Sequence, residues 1–314
     1  MSEKQNLSRA LKGKAEELGF DIFGIACSDY LTDDARRYDD WINSGHHAGM
    51  DYMTRNREKR MNPALLVRNA RSIIVVGLNY YQEYTPVIDN LVFSRYALGM
   101  DYHVIMKEKL HRLYNYLKES CPETDGRVFV DSAPVKENIW ANRAGLGWIG
   151  KNSLLINKEI GSYLFLGVIV TSSEIEYNDR PTSDHCGSCR QCIDACPTDA
   201  IGAERTLDAS KCISYLTIEH RGGFRNQSEI KLDNRVFGCD ACQEVCPWNR
   251  KAVATSIMEF RPLKEILKYR IFDWLDTDEK SFHRIFRLSP VMRTGYKGFM
   301  RNLNYLLNEM KGKE

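Results

Sequence analysis

The sequence predicts an α+β fold: a mixed helix–strand domain over residues 1–175, a cysteine-rich module over 176–255 and a short, basic helical segment over 256–314. Three observations lead there. Helical and strand-type apolar patterns alternate through the first part. Eight of the ten cysteines then crowd between Cys186 and Cys246, and after Trp248 only helical periodicity returns. At 314 residues and 43% apolar, the chain can bury one sizeable core and a smaller module.

Leu7, Leu11, Ala15 and Leu18 recur at helical spacing, and DIFGIA follows as a strand. SIIVVGLNYY (72–81) and YLFLGVIVT (163–171) are β-branched and aromatic runs of strand type. Between them, residues 103–120 place Ile105, Leu110, Leu113 and Leu117 on one helical face. RVFV (127–130) is a short strand ending at Asp131. AGLGWIG holds a literal G-x-G-x-x-G in Gly145, Gly147 and Gly150, but a helix-like VKENIWANRAG precedes it and a strand-like KNSLLI follows. A dinucleotide fingerprint needs the opposite order, so these glycines read as a helix stop with close backbone packing. The polar stretch 172–185 reads as a linker. LKEILKYRIFDWL and GFMRNLNYLLNEM supply the closing helices.

The cysteine spacing carries the chemistry. CGSCRQCIDACP gives Cys186, Cys189, Cys192 and Cys196 before Pro197. Cys212 stands alone, and CDACQEVCP gives Cys239, Cys242 and Cys246 before Pro247. C-x2-C-x2-C-x3-C-P is the bacterial ferredoxin pattern for paired [4Fe–4S] clusters, in which the fourth thiolate crosses to the other cluster. One cluster is thus assigned Cys186, Cys189, Cys192 and Cys246; the other takes Cys196, Cys212, Cys239 and Cys242. Zinc competes through C-x2-C knuckles, although a triplet of such steps crowds a single ion. Disulfides compete only in an oxidising compartment, and MSEKQNLSRALKGK has no apolar export segment, so a cytoplasmic location is expected. Cys27 and Cys121 read as ordinary thiols.

Asp131, before SAP, reads either as a turn-starting residue or as a general acid at a strand end. His103 in DYHVIM lacks the glycine of a D-x-H-x-x-G cobalt-ligating signature and reads as a helix-start residue. No apolar run reaches the ~20 residues of a membrane span. The net charge of +2 points to no partner, but residues 281–314 carry seven cations (Arg284, Arg287, Arg293, Lys297, Arg301, Lys311 and Lys313) against Glu309 and Glu314. That basic segment suits either a solvated helix face or phosphate binding.

Together EKRMNPALL (58–66), ARSIIVVGLNYY (70–81), SRYALGMDYHVIMKEKL (94–110), VDSAPVKENIWANRAGLGWIGKN (130–152), the first cysteine run, CISYLT (212–217) and GCDACQEVCPWN (238–249) resemble the epoxyqueuosine reductase family. The resemblance implies iron–sulfur and cobalamin enzymes that reduce the epoxide of epoxyqueuosine in tRNA to the alkene of queuosine. It makes the N-terminal domain the cobalamin-binding one and Asp131 the proton donor. It carries cofactor contacts onto Arg60, Asp131, Ser214 and Asp240, with Ser94, Leu155 and Leu166 lining the pocket. Serine at position 94 departs from relatives with cysteine there and removes any sulfur–cobalt role. The resemblance also implies a tRNA partner, an unidentified low-potential electron donor, a monomer and no membrane. Longer relatives continue into HEAT-like repeats beyond the helix that ends this chain, which leaves tRNA grip to the cluster module and basic segment.

The implied chemistry is coherent. Removing an epoxide oxygen takes two electrons and proton delivery, clusters pass electrons singly, and low-valent cobalt can attack carbon. Asp131 would have to be protonated near neutral pH, which burial beside a corrin could arrange. The competing functions are a cobalamin reductase acting on a small molecule, such as a dehalogenase, and a plain ferredoxin-like carrier.

Overall fold

The computed structural model describes residues 2–83, 87–178, 181–202, 205–224 and 230–311, apart from the Lys311 side chain. Lys313 and Glu314 of the basic segment lie outside the described residues. The strands are β1 (Ile22–Cys27), β2 (Ser72–Asn79), β3 (Val87–Ile88), β4 (Leu91–Phe93), β5 (Gly126–Phe129), β6 (Trp148–Ile149), β7 (Leu155–Ile156), β8 (Leu164–Thr171) and β9 (Arg235–Phe237).

The main sheet runs β1-β2-β8-β5 with every neighbouring pair antiparallel. β2 is buried along its whole length, which explains why its sequence is apolar without alternation from Ile73 to Leu78. Its side chains still obey the two-residue period. Ile74, Val76 and Leu78 meet Leu11 and Ala15 of helix Glu3–Glu17, together with Leu110, Leu113 and Leu117 of helix Tyr102–Ser120. Ile73 and Val75 meet Trp140 and Ala141 of helix Glu137–Arg143 on the opposite face. The sheet is therefore the middle layer of three, and helices cover both faces.

The glycine segment behaves as helix stop and close contact. Gly145 takes φ +74° just past helix Glu137–Arg143, where glycine avoids the left-handed penalty. A Cβ on Gly147 would lie 2.2 Å from the Ile156 carbonyl oxygen, so the β6–β7 hairpin excludes any side chain there.

Two expected divisions change. Residues 172–178 are not a loose linker, because the Asn178 amide donates to the Ile25 carbonyl at 2.7 Å and its Oδ1 accepts from the Ile25 amide at 2.9 Å. This seals the edge of β1, and Ile175 is buried beneath it. Nor does the core respect the divisions at 175 and 255. β4 pairs in parallel with β9, and one core unites Phe93, Phe237, Trp274, Phe282, Phe286 and Phe299. The closing helices, including Gly295–Lys311, thus pack on the cluster module and on residues 88–98 together. Among the described residues no helix is long and apolar enough to cross a membrane.

Candidate active site

Asp131 follows the C-terminal end of β5. Val130 is buried, and the chain then turns through φ +52° at Asp131, a left-handed conformation that Asp tolerates better than most residues. Its side chain is 69% exposed, so the turn presents the carboxylate outward. The turn is held from behind: the Asp131 amide donates to Glu137 Oε1 at 2.9 Å. Burial, followed by repulsion from Asp131, pushes the Glu137 carboxyl up to about 8.

Tyr102 completes the setting. Its hydroxyl donates to Asp131 Oδ2 at 2.8 Å, while its ring stacks on Phe165 with centroids 4.1 Å apart and planes 6° apart. Burial, then the charge of Asp131, pushes its phenol far up. His103 stacks on Tyr102 at 4.3 Å and does start the helix, since Asp101 Oδ1 accepts its backbone amide at 2.9 Å. Nothing in an apolar pattern marks Tyr102 or Glu137 as site residues. The available signal was position: one adjoins His103 and the other lies six residues beyond Asp131.

The cysteines occupy two similar frames. Short helices Gln191–Asp194 and Ala241–Glu244 carry the turns of the two runs. Among the described residues none of the ten cysteines forms a disulfide. Mutual electrostatic influence, second to burial, shows which of these thiols lie near one another. Cys192 is raised by Cys186, Cys246 and Cys189, and Cys246 by Cys186 and Cys189. Cys212 is raised by Cys196, and Cys242 by Cys239 and Cys212. Cys242 also feels Cys192, so the quartets adjoin. Burial is the largest influence throughout and pushes Cys239 up to about 11.

Polar groups surround these sulfurs. Trp148 Nε1–H donates to Cys186 Sγ at 3.4 Å, and the Ala200 amide to Cys196 Sγ at 3.3 Å. Hydrogen bonds from Ser214 and from the Tyr215 amide lower Cys212 against burial. Lys151 Nζ ties down the Gly187 and Cys189 carbonyls at 2.7 and 2.8 Å. A four-iron cubane takes one thiolate at each corner, and buried thiols with N–H donors at their sulfurs suit that group.

The other predicted contacts divide. Arg60 Nη2 donates to the Tyr52 carbonyl at 3.2 Å, but its Nε is buried with no hydrogen-bond partner among the described residues. An acceptor-rich cofactor beside it would satisfy that donor. Ser94 and Asp240 are buried and hydrogen-bonded to each other, and Asp240 Oδ2 also accepts the Arg95 amide at 2.7 Å. Their polar groups join the Ser94 turn to the cluster module. Leu155 is buried and Leu166 half-buried in the core that also holds Trp140. Two cavities of about 440 and 460 Å³, lined by Arg9 and Lys12 and by Leu216 and Phe224 respectively, include none of the predicted site residues.

The basic segment is only partly available for binding. Arg301 donates to the carbonyls of His220, Leu216 and Gly222 at 2.7, 2.8 and 3.0 Å, and burial pushes its guanidinium down to about 10. Arg293 grips Glu219 through two bonds of 2.8 and 2.9 Å. Arg287 and Lys297 are exposed.

Cysteine frames of this kind, in a fold that also presents an exposed strand-end carboxylate, define an iron–sulfur oxidoreductase. Comparisons with known proteins agree. Residues 185–249 match the family model for a 4Fe-4S double cluster binding domain, and residues 60–132 match that of epoxyqueuosine reductase QueG, DUF1730. The epoxyqueuosine reductase of Cyclobacterium marinum is 42% identical over 311 residues, covering 98% of this chain and 99% of that one. A crystal structure of epoxyqueuosine reductase with a tRNA-Tyr epoxyqueuosine-modified stem loop superposes with a TM-score of 0.89 at 30% identity, over 98% of this chain and 82% of that one. A Bacillus subtilis epoxyqueuosine reductase, with its catalytic aspartate loop swung out of the active site, matches over the same shares with a TM-score of 0.89 and 30% identity. The chain belongs to the epoxyqueuosine reductase family.

Proposed function

We propose that this protein reduces epoxyqueuosine to queuosine in tRNA, with electrons passing through two [4Fe–4S] clusters to a cobalamin and Asp131 giving the proton to the departing oxygen. The observation that carries the reading is Asp131 itself. It is an exposed carboxyl on a left-handed turn, fixed by Glu137 behind and by Tyr102 at Oδ2. General acids are held in this way, positioned on rigid elements yet open to substrate. The crystallised relative with a modified tRNA stem loop supports tRNA as the substrate carrier, and the relative with a swung-out aspartate loop supports a catalytic role for such a residue.

Bound cobalamin would supply a low-valent cobalt nucleophile for carbon. The chain's own part is to hold the group through Arg60, whose buried Nε lacks an acceptor among the described residues, and to aim Asp131 at the oxygen. Cys186, Cys189, Cys192 and Cys246 hold one cluster, and Cys196, Cys212, Cys239 and Cys242 the other. Ser214 serves the Cys212 sulfur, while Ser94 and Asp240 keep the Ser94 turn on the cluster module. Iron must displace protons from thiols that burial has raised, so assembly releases protons.

The test is anaerobic reconstitution with iron, sulfide and cobalamin, followed by nucleoside mass analysis of tRNA from a strain lacking its own reductase. Conversion of epoxyqueuosine to queuosine with the protein, and none without it, is expected. Corrin-free protein with cluster absorption alone, and unchanged tRNA, would return the chain to the carrier reading.

A further inference from the structure

The reaction needs more protons than Asp131 holds. Two C–O bonds break, a C=C bond forms, and the oxygen leaves as water, which takes two electrons and two protons per turnover. The electrons come from a low-potential one-electron donor acting twice through the clusters. A single carboxyl carries one acidic proton, so it must be recharged within each cycle, while the substrate lies over it.

We propose that His103, backed by Asp101, is the relay that recharges Asp131; the inference rests on Asp131 being the proton donor. His103 Nδ1 lies 2.7 Å from Asp101 Oδ1, and its Nε2 lies 3.8 Å from Asp131 Oδ2. The imidazole therefore stands between two carboxylates, with each ring nitrogen aimed at one of them. Asp101 fixes the Nδ1–H, which leaves Nε2 to exchange its proton with Asp131. The 3.8 Å gap is closed by one bridging water or a torsion change in the exposed Asp131 side chain.

The rest of the setting favours transfer along this line. Asp101 caps helix Tyr102–Ser120 through the His103 amide, so both relay groups sit on the rigid first turn. Burial pushes the Asp101 carboxyl up, but hydrogen bonds from the His103 ring and amide outweigh it and hold the group below the usual range. Its carboxylate faces the ring at Nδ1, where an anion stabilises whichever proton the ring carries there. Tyr102 donates to the same Asp131 oxygen that faces Nε2. The His103 side chain keeps 28% exposure and adjoins Val104, which is 55% exposed. The ring is thus itself open to solvent. In the step itself, imidazolium Nε2–H gives its proton to Asp131 Oδ2, and the neutral ring takes another from water.

The test uses protein carrying both clusters and cobalamin. His103→Ala should slow multiple-turnover reduction by about 100-fold, in the range general acid–base groups contribute, and added imidazole should restore most of the loss. Imidazole should do nothing for Asp131→Asn. His103→Gln keeps a polar side chain in place but cannot carry the proton, so it should hold full iron content and be equally slow; it replaces the alanine variant if that one loses its clusters. A readout independent of turnover is the ¹⁵N signal of His103 Nε2 in cobalamin-free protein, which should move on Asp131→Asn. An inactive wild type would overturn the proposed function and the relay with it. An active wild type overturns the relay alone if His103→Gln stays within threefold of it, if imidazole fails to rescue a folded His103→Ala, or if the Nε2 signal ignores Asp131→Asn.

Discussion

Replacing Asp131 with asparagine separates chemistry from architecture with little ambiguity, because the structure limits what else the change can do. The backbone at 131 is left-handed, φ +52°, and asparagine shares with aspartate the tolerance of that region. Alanine there would add strain of about 1–2 kcal/mol and confuse the result. The amide oxygen can still accept from Tyr102, and the bond to Glu137 comes from the main chain, so stability should change by less than about 1 kcal/mol. What disappears is the acidic proton. General acid catalysis is typically worth about 100- to 10,000-fold, or about 2.7–5.5 kcal/mol of barrier. The assay is single-turnover epoxide reduction by pre-reduced enzyme, with iron and corrin content measured on the same sample. A rate within a few-fold of wild type, with both cofactors bound, would make Asp131 a turn residue and leave the acid unidentified.

Other outcomes follow from the same geometry. Anaerobically purified protein should contain about eight iron and eight sulfide per chain, and Cys196→Ser should damage the cluster it shares with Cys212, Cys239 and Cys242 more than its neighbour; iron near four, or stoichiometric zinc, would contradict the assignment. In the basic segment, exchanging exposed Arg287 and Lys297 for glutamine should weaken tRNA binding and flatten its salt dependence in a filter-binding titration, and an unaltered slope would leave them a solvated face. Arg301→Gln should instead lower stability by about 2–4 kcal/mol in denaturant unfolding, because it strands the carbonyls of Leu216, His220 and Gly222. Glu137 is an acid raised from 4.5 to about 8 in the fold, so between those values the unfolded chain has lost a proton that the native one retains. Stability should therefore fall as pH rises through that window, by about 2–4 kcal/mol after screening, and level off above it. Glu137→Gln should remove that slope, and an identical pH profile in the variant would show that the carboxyl is not held protonated.

How much of this was legible depends on whether a feature is local. The double-cluster module was readable because cluster geometry fixes the spacing of three ligands within one turn. The central strands were readable because burial on both faces leaves β2 without a polar side chain from Ile73 to Leu78. The reversed order around Gly145 and Gly147 was equally local, and a helix does precede these glycines and a hairpin follow them. Charge was misleading for the opposite reason. Arg293 and Arg301 count as cations in any window, but whether a guanidinium is free for a phosphate depends on partners 74 and 85 residues away, Glu219 and the Leu216 carbonyl. The same holds for the pairing of Ser94 with Asp240 across 146 residues, which no single segment announces. Tyr102 lies between the two: it stands at the centre of D-Y-H, where the local pattern marks the aspartate and the histidine but not the tyrosine. The Asp131 turn is thus written locally as a strand end and an aspartate, while the tyrosine that meets its carboxylate comes from the first turn of another helix, brought beside β5 only by the folded sheet.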